Sequence, residues 1–484
     1  MRQRARVVRG AVDRIDDPAR RARPRTAAFL LAEDAVAGKA RTQRGHEHPL
    51  DRDVRRRDDV LRPLATDVEA RAVGPQVERE APGVTGECFG DAHSCRDFPG
   101  VHAPEAYRGG SRTAGDSGRI FPFDKRCSNK QNRMRVDAFT FGAVDGVPVP
   151  GFELRNAGGI AVGVVALGAR IVRLAMPDVH GRSADVVLGF DSPEAYLASD
   201  AYMGATCGRY GGRIRGSAFV LDGVAHRLSS NEGAHHAHGG AAGFDRRVWR
   251  AACDAANGEV TFTLDSPDGD QGYPGALSAS VSYRLDDEGV LAIDMRARAD
   301  RATVVNLLHH GYWNLAGHDA GSIAAHRLRL EADFVTPIDD ALIPTGEVRC
   351  VDGTVFDFRE GRPIGLDLDR VPTAAGGYDH NFCVRGVAGE LRRVATLGDP
   401  GSGRTLELFS DAPGVQLYTG GHFRAEVVGK GGARYRRYAG VALETQRFPD
   451  APNLSHFPNA RLDPGRDYLH RMRFRLFQER GAAR

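Results

Sequence analysis

The sequence predicts an all-β protein, a large antiparallel β-sandwich, over residues 134–484, and three observations carry that prediction. Apolar residues recur with period two in many short stretches, Gly-rich turns separate those stretches, and the 3.6-residue period of an amphipathic helix is nearly absent. Val260, Phe262 and Leu264 form the first clear alternation. Val281, Tyr283 and Leu285 alternate with polar neighbours, the turn Asp286-Asp287-Glu288-Gly289 follows, and Leu291, Ile293, Met295 and Ala297 alternate again, which predicts a hairpin. Leu328, Leu330, Ala332 and Phe334 are expected to share one strand face against Arg327, Arg329, Glu331 and Asp333. Met472, Phe474 and Leu476 close the series. Spread over about 350 residues with no helical interludes, this pattern fits one large sandwich without an internal boundary.

Residues 1–133 read differently. They sustain neither period, are broken by Pro and Gly, and hold roughly two dozen Arg and about three Lys against about 20 acidic residues, so they carry about +7. The formal charge of the whole 484-residue chain is +3, leaving the remainder about −4 and without a basic field for nucleic acid. The expectation for 1–133 is a disordered extension, or an over-long translation preceding a true start at Met134. Seven cysteines (Cys88, Cys95, Cys127, Cys207, Cys253, Cys350 and Cys383) are scattered, odd in number and never spaced as CxxC. That argues against a disulfide framework and a zinc site, and for a reducing, cytoplasmic setting. No apolar run approaches the roughly 18 residues of a membrane span; Ala27-Ala28-Phe29-Leu30-Leu31-Ala32 is short and is followed by Glu33 and Asp34. Neither a signal peptide nor a membrane partner is expected.

Two apolar runs far apart end in ionisable groups: Val304-Val305-Asn306-Leu307-Leu308-His309-His310 and Gly440-Val441-Ala442-Leu443-Glu444. Each has buried-strand character, and desolvation at such a position pushes a carboxyl group up toward a useful pKa. An imidazole and a carboxylate are the parts of a cofactor-free proton-transfer site. A third run, residues 231–240, sets His235, His236 and His238 beside glycines that let a backbone approach a ligand. His235 and His236 are sequence neighbours that would face opposite ways in an extended chain, so a three-histidine metal site is not expected, and His309 is read with them as a bystander. Trp249 and Trp313 read as core or pocket-wall aromatics.

Eight motifs then occur in one order: Gly208-Arg209-Tyr210-Gly211-Gly212-Arg213-Ile214; His238-Gly239-Gly240 with Gly243-Phe244-Asp245 and Trp249; Pro267-Asp268-Gly269-Asp270-Gln271-Gly272-Tyr273-Pro274-Gly275; His310-Gly311-Tyr312-Trp313-Asn314-Leu315-Ala316-Gly317; Thr336-Pro337 with Ile343-Pro344-Thr345-Gly346; Tyr378-Asp379-His380-Asn381-Phe382; Pro413-Gly414-Val415-Gln416-Leu417-Tyr418-Thr419-Gly420; and Leu443-Glu444-Thr445-Gln446 with Phe448-Pro449-Asp450. Together they resemble the aldose 1-epimerase (galactose mutarotase) family, a resemblance that extends over roughly Asp137 to Phe477. The resemblance implies a β-supersandwich of the galactose mutarotase type and interconversion of the α and β anomers of free aldoses such as glucose or galactose. It implies no cofactor and no metal, with Glu444 as the catalytic base and His310 as the acid. Arg213, His238, Asp379 and Gln416 fall on sugar-binding positions, a small sugar is the implied partner, and the protein is expected as a monomer or homodimer.

The chain departs from the family pattern at four places: Gly212 stands where Asn is common, Gly311 where Ser is common, Trp313 where Phe is frequent, and Gly420-Gly421-His422-Phe423 differs from the usual run. Loss of an amide at 212 bears on which hydroxyls the site prefers. Two alternatives are weighed against the leading reading. Epimerisation of a phosphorylated aldose would want an arginine cluster at the pocket, and Arg209, Arg213 and Arg215 are its candidates. A non-catalytic carbohydrate-binding protein of the same fold is opposed by the presence of both Glu444 and His310.

Overall fold

The computed structural model describes residues 135–479, apart from 375, 424 and 425. The expectations for residues 1–133, and the cysteines at 88, 95 and 127, lie outside the described residues.

Three antiparallel sheets dominate. A five-stranded meander runs in sequence order from Arg135–Val144 to Ser183–Asp185. A nine-stranded sheet contains the predicted hairpin, in which Leu277–Leu285 pairs with Val290–Ala299 and Leu285 lies opposite Leu291. The last strand, Tyr468–Gln478, inserts beside Val290–Ala299, so the C-terminal alternation closes the middle of this sheet. Alternate residues along these strands are buried and accessible, as a sheet with one wet face requires. Rings join the layers: Phe152 of the meander meets Phe262 edge-on at 6.3 Å, and Phe474 of the nine-stranded sheet lies 5.1 Å from Trp313 of the six-stranded one. One short helix, Pro193–Leu197, is the only α-helix among the described residues, started by Ser192 accepting from the Ala195 N–H. No helix there is long and apolar enough to cross a membrane.

The third sheet, of six strands, bears the candidate site. Its order places Val441–Gln446 between Tyr312–Trp313 and Gly414–Tyr418, followed by Asp379–Val384, Ala332–Thr336 and Arg349–Cys350. One face, with Leu443, Val415 and Leu417, belongs to the main core. The opposite face carries polar groups. Both are covered, and that is why the apolar run ending at Glu444 shows no alternation of exposure.

One strand expectation is corrected. Leu328 and Leu330 are buried as expected, but the chain leaves the nine-stranded sheet after Arg327–Leu330 and enters the six-stranded one at Ala332–Thr336. A register shift between Ala332 and Phe334 inverts the alternation, so Val335 is buried and Phe334 is 45% exposed. The run Val304–His310 is likewise two short strands, Thr303–Val304 and Leu308–His310, each paired with a different partner.

Candidate active site

Glu444 is delivered by the period of its strand. With Leu443 and Thr445 turned into the sandwich, Ala442, Glu444 and Gln446 share the other face. Register then sets the neighbours: Gln416 lies opposite both Glu444 and Asn381, and Asp379 lies opposite Tyr418. A polar floor is thereby assembled from three strands. His310 ends the strand Leu308–His310, which pairs with Ala205–Cys207. Arg213 and His238 come from a small ladder in which Ala237 pairs with Arg213. Behind His238, Gly239 has φ +96°, and a Cβ there would overlap the Gly208 carbonyl.

These elements surround a cavity of about 700 Å³ lined by all six residues predicted from sequence, Glu444, His310, Arg213, His238, Asp379 and Gln416. Nε2 of His310 stands 3.6 Å from Oε1 of Glu444, and both side chains are nearly inaccessible. The imidazole of His310 is stacked between Tyr312, with centroids 5.0 Å apart, and Tyr202, at 5.8 Å. Arg213 donates twice to Glu232, at 2.6 and 2.9 Å, and lies 3.6 Å from Asp379. Gln416 Nε2 donates to Asp379 Oδ1 at 2.7 Å. The Gly212 N–H donates to Nδ1 of His238 at 3.4 Å, which leaves Nε2 of that ring for the cavity.

Burial dominates the electrostatics. It pushes Glu444 well above the usual carboxylate range, reinforced by Asp379 and opposed by Arg213. It also pushes His310 well below the usual imidazole value, with His238 adding to the effect. His238 itself is held at about 3, by burial and then by Arg213. Burial opposes the charge on Arg213, yet Asp379 and Glu232 outweigh it and hold the guanidinium above its ordinary value. The charges implied by a base at Glu444 and an acid at His310, carboxylate and imidazolium, are thus the ones burial disfavours. In the sugar-free protein both members of the pair are driven toward neutral forms, a glutamic acid beside an imidazole, which hold the same single proton.

The remaining histidines divide as expected. His309 faces Phe474, His235 accepts the Gly216 N–H through Nδ1, and His236 is tied to the Tyr273 hydroxyl and the Ser229 carbonyl. Both tryptophans are core residues, 0–2% exposed. His238, His310 and Glu444 do offer donor atoms within 4.8 Å of one another, a grouping hidden in sequence because three separate segments supply it. The positive charge of Arg213, which acts on both His238 and Glu444, opposes a cation there.

Of the three arginines considered for a phosphorylated substrate, Arg213 alone lines the pocket. Arg209 is buried against the carbonyls of Ser266, Pro267, Pro274 and Gly275, where it holds that loop, and Arg215 turns to Asp339 and Asp450. Sequence reasoning missed Tyr202, Tyr312, Tyr418 and Glu232 as lining residues. Tyr312 and Tyr418 were legible in principle, since both stand in quoted motifs and share the face of Glu444. Glu232 lay in a segment weighed only for its imidazoles, and Tyr202 sits in a loop with no period to mark it.

A cavity with a carboxyl–imidazole pair on its floor and an arginine, amides and an aspartate on its walls holds the groups that proton exchange with a polyhydroxylated ligand would require. Residues 150–475 match the aldose 1-epimerase family model, and the chain belongs to the aldose 1-epimerase family. It is 43% identical over 317 residues to galactose mutarotase of Bos taurus, covering 66% of this chain and 91% of that one. It is 34% identical over 341 residues to aldose 1-epimerase of Escherichia coli K12, covering 70% and 98%. Among solved structures, galactose 1-epimerase from Lactobacillus acidophilus superposes with a TM-score of 0.62 at 28% identity, over 72% of this chain and all of that one. The fold is accordingly galactose mutarotase-like, as the motifs implied.

Proposed function

We propose that this protein is an aldose 1-epimerase that interconverts the α and β anomers of a free aldose, with Glu444 and His310 exchanging protons with the sugar. The observation that carries this reading is the buried 3.6 Å contact between the two groups on the floor of a polar cavity. Glu444 accepts the proton of the anomeric hydroxyl, C1–O1 becomes a carbonyl, the C1–O5 bond breaks, and O5 takes a proton from His310. Rotation about C1–C2 and attack of O5 on the other carbonyl face reverse the transfers, so no net proton is consumed. The charged tautomer, carboxylate and imidazolium, is the reactive one, and the nearby guanidinium of Arg213 favours it by acting on Glu444. Arg213, His238, Asp379 and Gln416 hold ring hydroxyls.

Polarimetry of freshly dissolved α-D-glucose and α-D-galactose tests the activity, and a rate above the spontaneous one, unchanged by EDTA, is the expected result. Stoichiometric zinc together with a rate abolished by EDTA would instead bring His238, His310 and Glu444 back as ligands. A phosphorylated aldose is disfavoured because Arg213 is already engaged by two carboxylates and Arg246, the other arginine lining the cavity, is turned to the Leu197 carbonyl and Asp200. The cytoplasmic reading is supported by Cys207, Cys350 and Cys383, which stand as thiols among the described residues.

The catalytic domain we assign is 134–484. Every group given a role lies between Gly212 and Gln446, so a protein beginning at Met134 is expected to fold and to retain the full rate per mole. An insoluble or inactive truncation would assign a structural role to residues 1–133.

A further inference from the structure

We infer that Gln446 is a substrate-positioning residue, whose side-chain oxygen accepts one sugar hydroxyl at the edge of the pocket left open by Gly212. The inference rests on the reading of this cavity as a sugar site, and it follows from the direction of a chain of amides. Asp379 Oδ1 accepts from Gln416, so Gln416 presents Nε2 to it at 2.7 Å and turns Oε1 the other way. Gln446 must then present Nε2 to that oxygen, which it does at 3.2 Å, and it spends its second N–H on Asn381 Oδ1 at 3.3 Å. A reversed Gln446 would set its oxygen against the Gln416 oxygen. The aspartate at one end therefore fixes which atom of Gln446 faces the cavity. That atom is Oε1, and among the described residues nothing donates to it.

What this oxygen faces is decided at Gly212. The residue has φ +79°, and a Cβ built on it would lie 3.4 Å from Gln446 Oε1 and 3.5 Å from the Pro449 ring. A side chain at 212 would stand in contact with the acceptor on that side. With hydrogen in its place, Oε1 is left at the cavity wall, and Gly212, Gln446 and Pro449 all line the pocket. Gln446 stands two residues beyond Glu444 on the same strand face, roughly 7 Å along the strand, so the hydroxyl it meets is away from the anomeric carbon. An acceptor with no protein donor discriminates strongly against a ligand that lacks the matching O–H, because the lone pair is then buried unpaired.

The test is calorimetric titration with D-glucose, D-galactose and their 2-, 3-, 4- and 6-deoxy derivatives, which reads binding whether or not turnover occurs. Gln446→Met removes the acceptor at nearly equal length, together with the donors to Gln416 and Asn381, and Gly212→Ala sets a methyl against the acceptor, with backbone strain at φ +79°, while leaving the amide chain untouched. For the native protein, one deoxy position should weaken binding by about 10-fold. Each variant should lose a similar factor on the parent sugar and nothing further on that derivative. If Gln446→Met does not fold, Gly212→Ala carries the comparison alone. Equal losses on every sugar, no loss on the parent, or no sugar binding by the native protein would overturn the assignment. Binding that follows the expected pattern in a native protein without mutarotation would uphold it and refute the catalytic reading instead.

Discussion

Replacing Glu444 by Gln is expected to lower the protein-dependent mutarotation rate by about 10²-fold or more while sugar binding persists. The amide has almost the same size and shape and can still hydrogen-bond, so the cavity and its neighbours on the Gly414–Tyr418 strand are preserved. What it cannot do is take the anomeric proton. The group is nearly inaccessible and faces His310 at 3.6 Å, so water is a poor substitute for it. Polarimetry with the spontaneous rate subtracted, beside calorimetry of sugar binding, separates the two effects. A Glu444→Gln protein that keeps most of its rate would move the base to another carboxylate, with Asp379 the first candidate, as it lies on the same sheet face.

His310→Asn should cost a comparable factor, and its signature lies in the pH profile. The working state holds one proton across the pair, so the native rate falls on the acid side when a second proton is taken up and on the alkaline side when the shared proton leaves. Burial sets the direction of both limbs. Because His310 is pushed down, the acid limb lies below the ordinary imidazole value; because Glu444 is pushed up, the alkaline limb lies above the ordinary carboxylate range. The result is a bell with a broad top, and the two apparent values belong to the pair. In His310→Asn the alkaline limb should vanish, since the group that donates the proton is gone, while an acid limb remains where Glu444 takes up a proton and ceases to be a base. A variant that loses rate but keeps both limbs would show that His310 supports the pocket without donating the proton.

Much of this architecture could be read directly from residue order. The hairpin around Asp286-Asp287-Glu288-Gly289 followed from period-two alternation, because a strand with one wet face writes its orientation into every second residue. Glu444 and His310 stood out because ionisable groups at the ends of apolar runs are costly unless they have a task. The alternation failed at Phe334, where the chain changes sheets and a register shift turns the pattern over. Such a shift is set by the two partner strands, and neither is a sequence neighbour.

The sequence by itself determined that the body is all-β, that Glu444, His310, Arg213, His238, Asp379 and Gln416 are the residues to watch, and which family they resemble. These are properties of local pattern and of motif order, and both survive without coordinates. Only the tertiary structure decided that Arg209 and Arg215 leave the pocket while Glu232 claims Arg213, that His310 stacks on Tyr312 and Tyr202, and that burial pushes Glu444 up and His310 down. Only it aligned Asp379, Gln416 and Gln446 so that an amide oxygen faces the gap at Gly212. Each of those facts depends on cross-strand register and on desolvation, which arise between segments up to hundreds of residues apart and exist only once the sheets have packed.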